Sequence, residues 1–331
     1  MTVLTDSYGR RIKSMRLSIT DRCNFRCVYC MPAEGLPWLP KADILTYEEL
    51  ARVARVAVGM GVEQLRLTGG EPLVRRDVPE LVRMLHAIPG LRSLSLTTNG
   101  TRLPQLAAPL AAAGLTRINV SLDTLIPHKF FQLTRRDALD SVLAGLAALE
   151  AFPQITPIKV NAVAMRGFTE DEVLAFAALA RRKPYVIRWI EFMPLDADGI
   201  WRKEDILTGA EILAIIEAQY GPMVRITGGD AAETARRYRF PDGVGEVGFI
   251  NPVSEPFCAT CDRIRLTAEG GLRTCLFSHE ETDLRATLRD GGSDDDLAAA
   301  IRAAVWHKEL KHHINDGQFT RTQRSMSMIG G

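Results

Sequence analysis

Met15-Arg16-Leu17-Ser18-Ile19-Thr20-Asp21-Arg22-Cys23-Asn24-Phe25-Arg26-Cys27-Val28-Tyr29-Cys30-Met31 joins a short strand pattern to a cysteine loop. Met15 to Ile19 alternates apolar and polar residues with the period of two of a half-buried strand. Cys23, Cys27 and Cys30 follow at C-x3-C-x2-C spacing. Three thiolates are one short of a tetrahedral structural zinc site. They are equally one short of the four cysteines that usually hold a cubane iron–sulfur cluster. A cubane gripped by three cysteines keeps one iron free for a ligand that is not protein. C-x2-C pairs also occur in zinc knuckles and redox dithiols, and cysteine is a common buried residue.

From this join to Met193, strand-like runs near 15–20, 62–68, 93–98, 116–122, 157–163 and 185–191 alternate with helical patterns. The helical patterns cover 46–58, 77–87, 103–113, 137–151 and 170–182. Such alternation predicts a parallel sheet with right-handed crossovers. Six units fall short of the eight that close a barrel. The expected fold class is therefore α/β, a partial (β/α)6 TIM-like barrel, although an open doubly wound sheet would share the pattern. Beyond residue 203 the pattern changes, with helices expected over 204–219 and 294–315 and a glycine- and turn-rich stretch over 221–248. The chain thus divides into 1–203 and a smaller α+β region, 204–331.

Strand parity carries more information. Fully buried parallel strands usually read as nearly continuous apolar runs, but here alternate positions are polar. Arg16, Ser18 and Thr20 alternate with Leu17 and Ile19; Gln64, Arg66 and Thr68 with Leu65 and Leu67; Ser93, Ser95 and Thr97 with Leu94 and Leu96. Asn119, Ser121 and Asp123 alternate with Val120 and Leu122, and Lys159 and Asn161 with Val160. Side chains alternate faces along a strand, so the apolar set can pack under helices while the polar set lines a hollow. A solvent-facing antiparallel sheet would alternate the same way. Arg16, Arg66 and Lys159 share the polar parity, Arg188 on the sixth strand is a candidate to join them, and several cations on one concave face point to an anionic ligand.

Thr68-Gly69-Gly70-Glu71-Pro72 follows the second strand, where paired glycines permit close backbone approach. A second cysteine trio, Cys258, Cys261 and Cys275, is spaced C-x2-C-x13-C, with His279 four residues on. A Cys3His zinc site and a second three-cysteine cubane both fit that spacing. Arg263 and Arg265 alternate on a strand leaving this trio, which favours a cluster beside an anion.

The formal net charge is +1, which argues against a nucleic-acid-coating surface. Six cysteines are too few for a disulfide scaffold in a chain of this length. No signal-like segment opens the sequence, and no run approaches the ~20 apolar residues of a membrane span. A cytoplasmic protein without membrane or nucleic-acid partners is expected.

Asp21 through Pro32, with its aromatic Tyr29 before the last cysteine, resembles the radical S-adenosylmethionine (SAM) signature. Leu65 through Pro72, Thr97-Thr98-Asn99-Gly100, Asn119 through Asp123, Cys258 through Arg265 with Cys275, and the terminal Gly330-Gly331 narrow the resemblance. Together they are similar to the GTP 3′,8-cyclase family of molybdenum cofactor biosynthesis, in the right order along essentially the whole chain. The resemblance implies two [4Fe–4S] clusters, one on Cys23, Cys27 and Cys30 and one on Cys258, Cys261 and Cys275. It implies SAM contacts at Tyr29, Gly70, Ser121 and Met193. GTP contacts are implied at Arg16, Arg66, Thr97, Lys159, Arg263 and Arg265. The expected reaction takes hydrogen from C3′ of GTP, and the resulting carbon radical attacks C8. The product, (8S)-3′,8-cyclo-7,8-dihydroguanosine 5′-triphosphate, passes to a downstream pyranopterin synthase. A low-potential electron donor is implied, and a homodimer is left open. The family's Gly-Gly tail is expected at the active site. A peptide-modifying radical SAM enzyme with an auxiliary cluster is the alternative; that class usually spends more cysteines in its C-terminal part.

Overall fold

The computed structural model describes residues 3–229, 232–317 and 319–330. Its centre is a run of six parallel strands paired in sequence order: β1 (Ser14–Ser18), β2 (Gln64–Thr68), β3 (Ser93–Thr98), β4 (Arg117–Ser121), β5 (Ile158–Ala164) and β6 (Tyr185–Glu191). Helices cross between them: α1 (Tyr47–Gly59), α2 (Val78–His86), α3 (Leu103–Ala112), α4 (Pro127–Thr134), α5 (Leu139–Leu149) and α6 (Val173–Arg182). Thr46 and Glu49 start α1 with a reciprocal capping box, which satisfies backbone donors that would otherwise lack partners. The apolar parity set, including Leu17, Leu67, Leu96, Val120 and Val160, joins Leu50, Val53, Ala54 and Ala57 of α1 in one buried core.

Helix α4 was not anticipated from sequence. It is only eight residues long, opens on a proline, and lacks the glycine stop that commonly marks a helix end. Arg135 ends it instead, at φ 56°.

The region after residue 203 extends the same sheet at both edges. β7 (Val224–Arg225), β8 (Arg236–Arg239) and β9 (Glu246–Ile250) continue from β6, while β10 (Arg263–Leu266), β11 (Gly271–Arg273) and β12 (Thr282–Asp283) continue from β1. The twelve strands run in the order β12-β11-β10-β1-β2-β3-β4-β5-β6-β9-β8-β7. β10 pairs in parallel with β1, which sets Arg265 opposite Arg16. Arg16 on β1 and Arg188 on β6 nevertheless line one cavity. The sheet therefore curls into the partial barrel that the strand count predicts.

Helices α7 (Gly209–Tyr220), α8 (Leu284–Arg289), α9 (Asp294–Trp306) and α10 (Met326–Ile329) complete the chain. Two expected helices are shorter than their patterns. Residues 203–205 form a separate turn, and α7 starts only at its own capping box, Thr208 with Glu211. Helix α9 stops at Trp306 instead of reaching 315, because Lys308 leaves the helical path to bury its ammonium against the Arg263 and Thr274 carbonyls.

Candidate active site

The cysteine loop is sewn to the glycine loop by backbone. Gly70 N–H donates to Thr20 O at 2.8 Å and Glu71 N–H to Arg22 O at 2.7 Å. A Cβ on Gly70 would stand 2.3 Å from Arg22 O, and one on Gly69 2.7 Å from Thr20 O. The glycines are thus required for close approach to the chain's own cysteine loop, before any ligand is considered. Glu71 is buried and accepts from Leu73 N, Thr98 Oγ1 and Asn99 N at 2.9, 2.7 and 2.6 Å. Gly70→Ala is expected to push the two loops apart, so that anaerobic reconstitution yields protein short of about four irons; iron analysis checks this.

Cys23, Cys27 and Cys30 line a cavity of about 140 Å³ with Thr68, Gly69, Gly70 and Glu71. Burial pushes the Cys23 thiol up to about 12 and Cys30 to about 11, and raises Cys27 as well. Thiols this reluctant to ionise need a bound cation's charge to become thiolates. Three cysteines on one cavity are the donor set of a three-cysteine cubane, and the residues present fit it. Ser327, at the start of α10, hydrogen-bonds Cys30.

Between this cavity and a larger one stand Tyr29, Thr97, Ser121, Asp123 and Met326, which line both. Tyr29 Oη donates to Asp123 Oδ2 at 2.8 Å, and Val163 N donates to Oδ1 at 2.7 Å. Burial lifts the Asp123 carboxyl to about 6 against these bonds, and lifts Glu71 to about 7. A cationic ligand here would return both to the carboxylate form.

The larger cavity, about 260 Å³, is lined by Arg16, Arg66, Arg188, Arg263 and Arg265, with Met193 and the second cysteine trio on its wall. Burial depresses Arg66 to about 9 and Arg188 to about 10 and lowers Arg16 and Arg265 as well; neighbouring cations add to this, although Glu233 opposes it at Arg188. Arg188 is propped by Asn161 Oδ1 at 2.7 Å and Asn119 Oδ1 at 2.9 Å, both neutral partners. Lys159 does not line the cavity wall. It lies close enough to Arg188, Arg117 and Arg66 that burial and their charge push it down to about 7. Five arginines on a wall whose described lining carries two carboxylates, Asp123 and Glu191, form a site preorganised for a polyanion.

Cys258, Cys261 and Cys275 share this cavity. Although burial opposes it, Arg263 and Lys308 hold the Cys261 thiol down to about 7. Arg263 also hydrogen-bonds that thiol and stacks 4.9 Å from the Phe257 ring. His279, spaced to complete a zinc site, instead places Nε2 3.1 Å from Thr320 Oγ1 and is absent from the cavity lining. Arg10, ion-paired to Asp6 at 2.5 Å, donates to the Cys258 and Leu310 carbonyls, each at 2.9 Å. Gly330, at φ 74°, is wedged so that a Cβ would overlap Thr68 Oγ1, and its carbonyl accepts from Arg265. Gly331 lies outside the described residues.

The structure therefore gathers around two adjoining cavities the cysteines and the SAM and GTP contacts expected from sequence, except Lys159, which lines neither cavity. Lys308, Ser327, Met326 and Arg10 were missed. Each reaches the site from a remote segment without a local motif, whereas Asp123 and Asn161 were legible from strand parity.

Residues 17–180 match the model of the Radical SAM superfamily, and residues 185–314 match Molybdenum Cofactor Synthesis C. A Pelotomaculum thermopropionicum protein named GTP 3′,8-cyclase is 45% identical over 99% of this chain and 100% of its own length. A Streptomyces coelicolor protein of the same name is 46% identical over 99% and 96%. Mouse molybdenum cofactor biosynthesis protein 1 is 44% identical over 99% of this chain and 51% of its own length. Among solved structures, Streptococcus suis SuiB bound to S-adenosylmethionine superposes at a TM-score of 0.60 and 14% identity. It covers 91% of this chain and 69% of SuiB, a likeness of fold.

Proposed function

Because the chain belongs to the GTP 3′,8-cyclase family of radical SAM enzymes, we propose that its two cysteine trios and the cationic hollow they share form a single active site. The activity is the conversion of GTP to (8S)-3′,8-cyclo-7,8-dihydroguanosine 5′-triphosphate, the first step of molybdenum cofactor biosynthesis. The cofactors are SAM and two [4Fe–4S] clusters. When bound, SAM and a reduced cluster supply the oxidising radical with which the reaction starts.

The chain's own residues hold, orient and shield. Cys23, Cys27 and Cys30 would hold the SAM cluster, and Cys258, Cys261 and Cys275 the second. Tyr29, Gly70, Ser121 and Met193 would position SAM, with Asp123 and Glu71 offering negative charge toward its cationic groups. Arg16, Arg66, Thr97, Lys159, Arg263 and Arg265 would hold GTP, aided by Arg188. Alignment of this kind is what an otherwise indiscriminate radical demands, since reacting atoms must meet at about 3–3.5 Å. Residues 1–203 and 204–331 are the units that carry the two clusters. A cytoplasmic setting, a low-potential electron donor and a downstream pyranopterin synthase complete the reading.

The observation that carries this reading is five arginines, Arg188 and Arg265 buried and Arg16, Arg66 and Arg263 half-buried, on one cavity wall with the second trio. Incubation of reconstituted enzyme with GTP, SAM and dithionite should yield the cyclised triphosphate and 5′-deoxyadenosine, identified by mass spectrometry. 5′-Deoxyadenosine without nucleotide product would overturn it.

Lys159 provides a pH signature. With its amine near 7 in the free protein, a triphosphate nearby favours the charged form and raises that value. GTP binding at pH 8 should therefore take up protons, and apparent affinity should fall as pH rises from 7. Calorimetry in buffers of differing ionisation enthalpy checks this; Lys159→Gln should remove that component of the uptake.

A further inference from the structure

Lys308 is a buried charge to which the chemistry described so far gives no task. It lines neither cavity, and its ammonium donates to two backbone carbonyls, Arg263 O at 3.0 Å and Thr274 O. A buried charge is costly unless compensated, and neutral carbonyls leave this one uncancelled. The two carbonyls belong to two arms of the second trio. Arg263 lies two residues beyond Cys261, and Thr274 directly precedes Cys275.

The residues after Lys308 fasten the same trio. Arg10, which donates to Cys258 O, also donates to the Glu309 and Leu310 carbonyls at 2.6 and 2.9 Å. The His312 N–H reaches the Cys258 sulfur, and His312 Nε2 lies 2.7 Å from Pro252 O. Thr274 Oγ1 donates to Glu309 Oε2 at 2.8 Å. The segment 308–312 therefore engages both arms, the one with Cys258 and Cys261 and the one with Cys275.

Two kinds of cation thus surround the second trio. Arg16, Arg66, Arg188, Arg263 and Arg265 face the cavity, so a bound triphosphate neutralises them. Lys308 lies off that lining and keeps its charge when substrate arrives. Against burial, this charge favours the thiolate at all three cysteines, while Glu309 opposes it at Cys275. The reduction potential of an iron–sulfur cluster follows its net charge, hydrogen bonds and exposure, and groups behind the ligands tune it.

We propose that Lys308 is a positioning residue for the second cluster: its ammonium joins the two arms of the trio, and its charge holds the cluster's reduction potential up with or without GTP. The inference rests on the reading that Cys258, Cys261 and Cys275 hold a cubane.

The test uses the full chain with Cys23, Cys27 and Cys30 replaced by serine, so that the second cluster alone is seen. After anaerobic reconstitution, iron is counted and the cluster is titrated with dithionite under electron paramagnetic resonance detection. About four irons are expected; none would overturn the cluster reading, and the proposal with it. Lys308→Gln keeps a donor and loses the charge. Its reduction equilibrium should shift at least tenfold toward the oxidised cluster, about 59 mV for one electron, both without and with saturating GTP. Lys308→Arg should restore the higher potential. Lys308→Met, lacking donor and charge, should also lose at least half of its iron while its far-ultraviolet circular dichroism is unchanged.

A high potential in Lys308→Gln, an equally low one in Lys308→Arg, or a difference that GTP abolishes overturns the charge role. Full iron in Lys308→Met overturns the joining role. Iron lost from Lys308→Gln and recovered in Lys308→Arg supports the proposal, because the charge is then what the two arms require. Iron lost from all three variants makes Lys308 a packing residue and overturns it.

Discussion

Cys258→Ser enzyme should cleave SAM reductively and make no cyclised nucleotide. The substitution removes one of three thiols at the second trio, 228 positions from Cys30 in sequence yet on a cavity that adjoins Cys30's own. The first loop keeps its complete backbone seam to Gly70 and Glu71, so its cluster should assemble. The variant is expected to bind about four irons where the wild type binds about eight, to form 5′-deoxyadenosine under dithionite, and to lose at least a hundredfold in cyclisation. Iron analysis and product chromatography on one preparation check all three. Full cyclisation by four-iron protein would remove the second trio from the chemistry.

Arg66→Met should lose the substrate and gain stability. Arg66 is half-buried, its Nε donates to Ser95 Oγ at 3.2 Å, and it is depressed to about 9 by loss of solvent and by Arg188, Arg117, Arg263 and Arg265. A charge-assisted bond to phosphate is worth roughly 1.5–3 kcal/mol, so the GTP dissociation constant should rise about 10- to 150-fold. Without nucleotide, removing one of several crowded cations relieves repulsion and desolvation. The apo variant's melting temperature should therefore match or exceed that of the wild type, the opposite of an ordinary core truncation. Calorimetric titration and thermal unfolding of the same protein decide it. A fall in melting temperature with unchanged GTP affinity would make Arg66 a structural residue. Arg265 is a less clean probe because its guanidinium also holds the Gly330 carbonyl.

The cysteine spacings, the six strand–helix units and the polar parity of β1 to β5 were all legible along the chain, since each is a local period. The sequence pattern anticipated Arg16, Arg66, Asn119, Ser121, Asn161 and Arg188 on one face, and the register sets Arg16 beside Arg66 and Asn161 beside Arg188. Helix ends were less legible. Lys308 ends the helical run because its ammonium finds two carbonyls on neighbouring segments, a competition that helix propensity does not contain.

One residue shows where local reading ends. A lysine after a helix is ordinarily a solvated side chain, yet Lys308 is 2% exposed and its charge acts on all three thiols of the second trio. Ligand identity follows from side-chain chemistry and spacing, which neighbours in the chain carry with them. Which charges oppose one another follows from sheet curl and from β10 pairing with β1 across some 250 residues, a closure that exists only once the chain has folded.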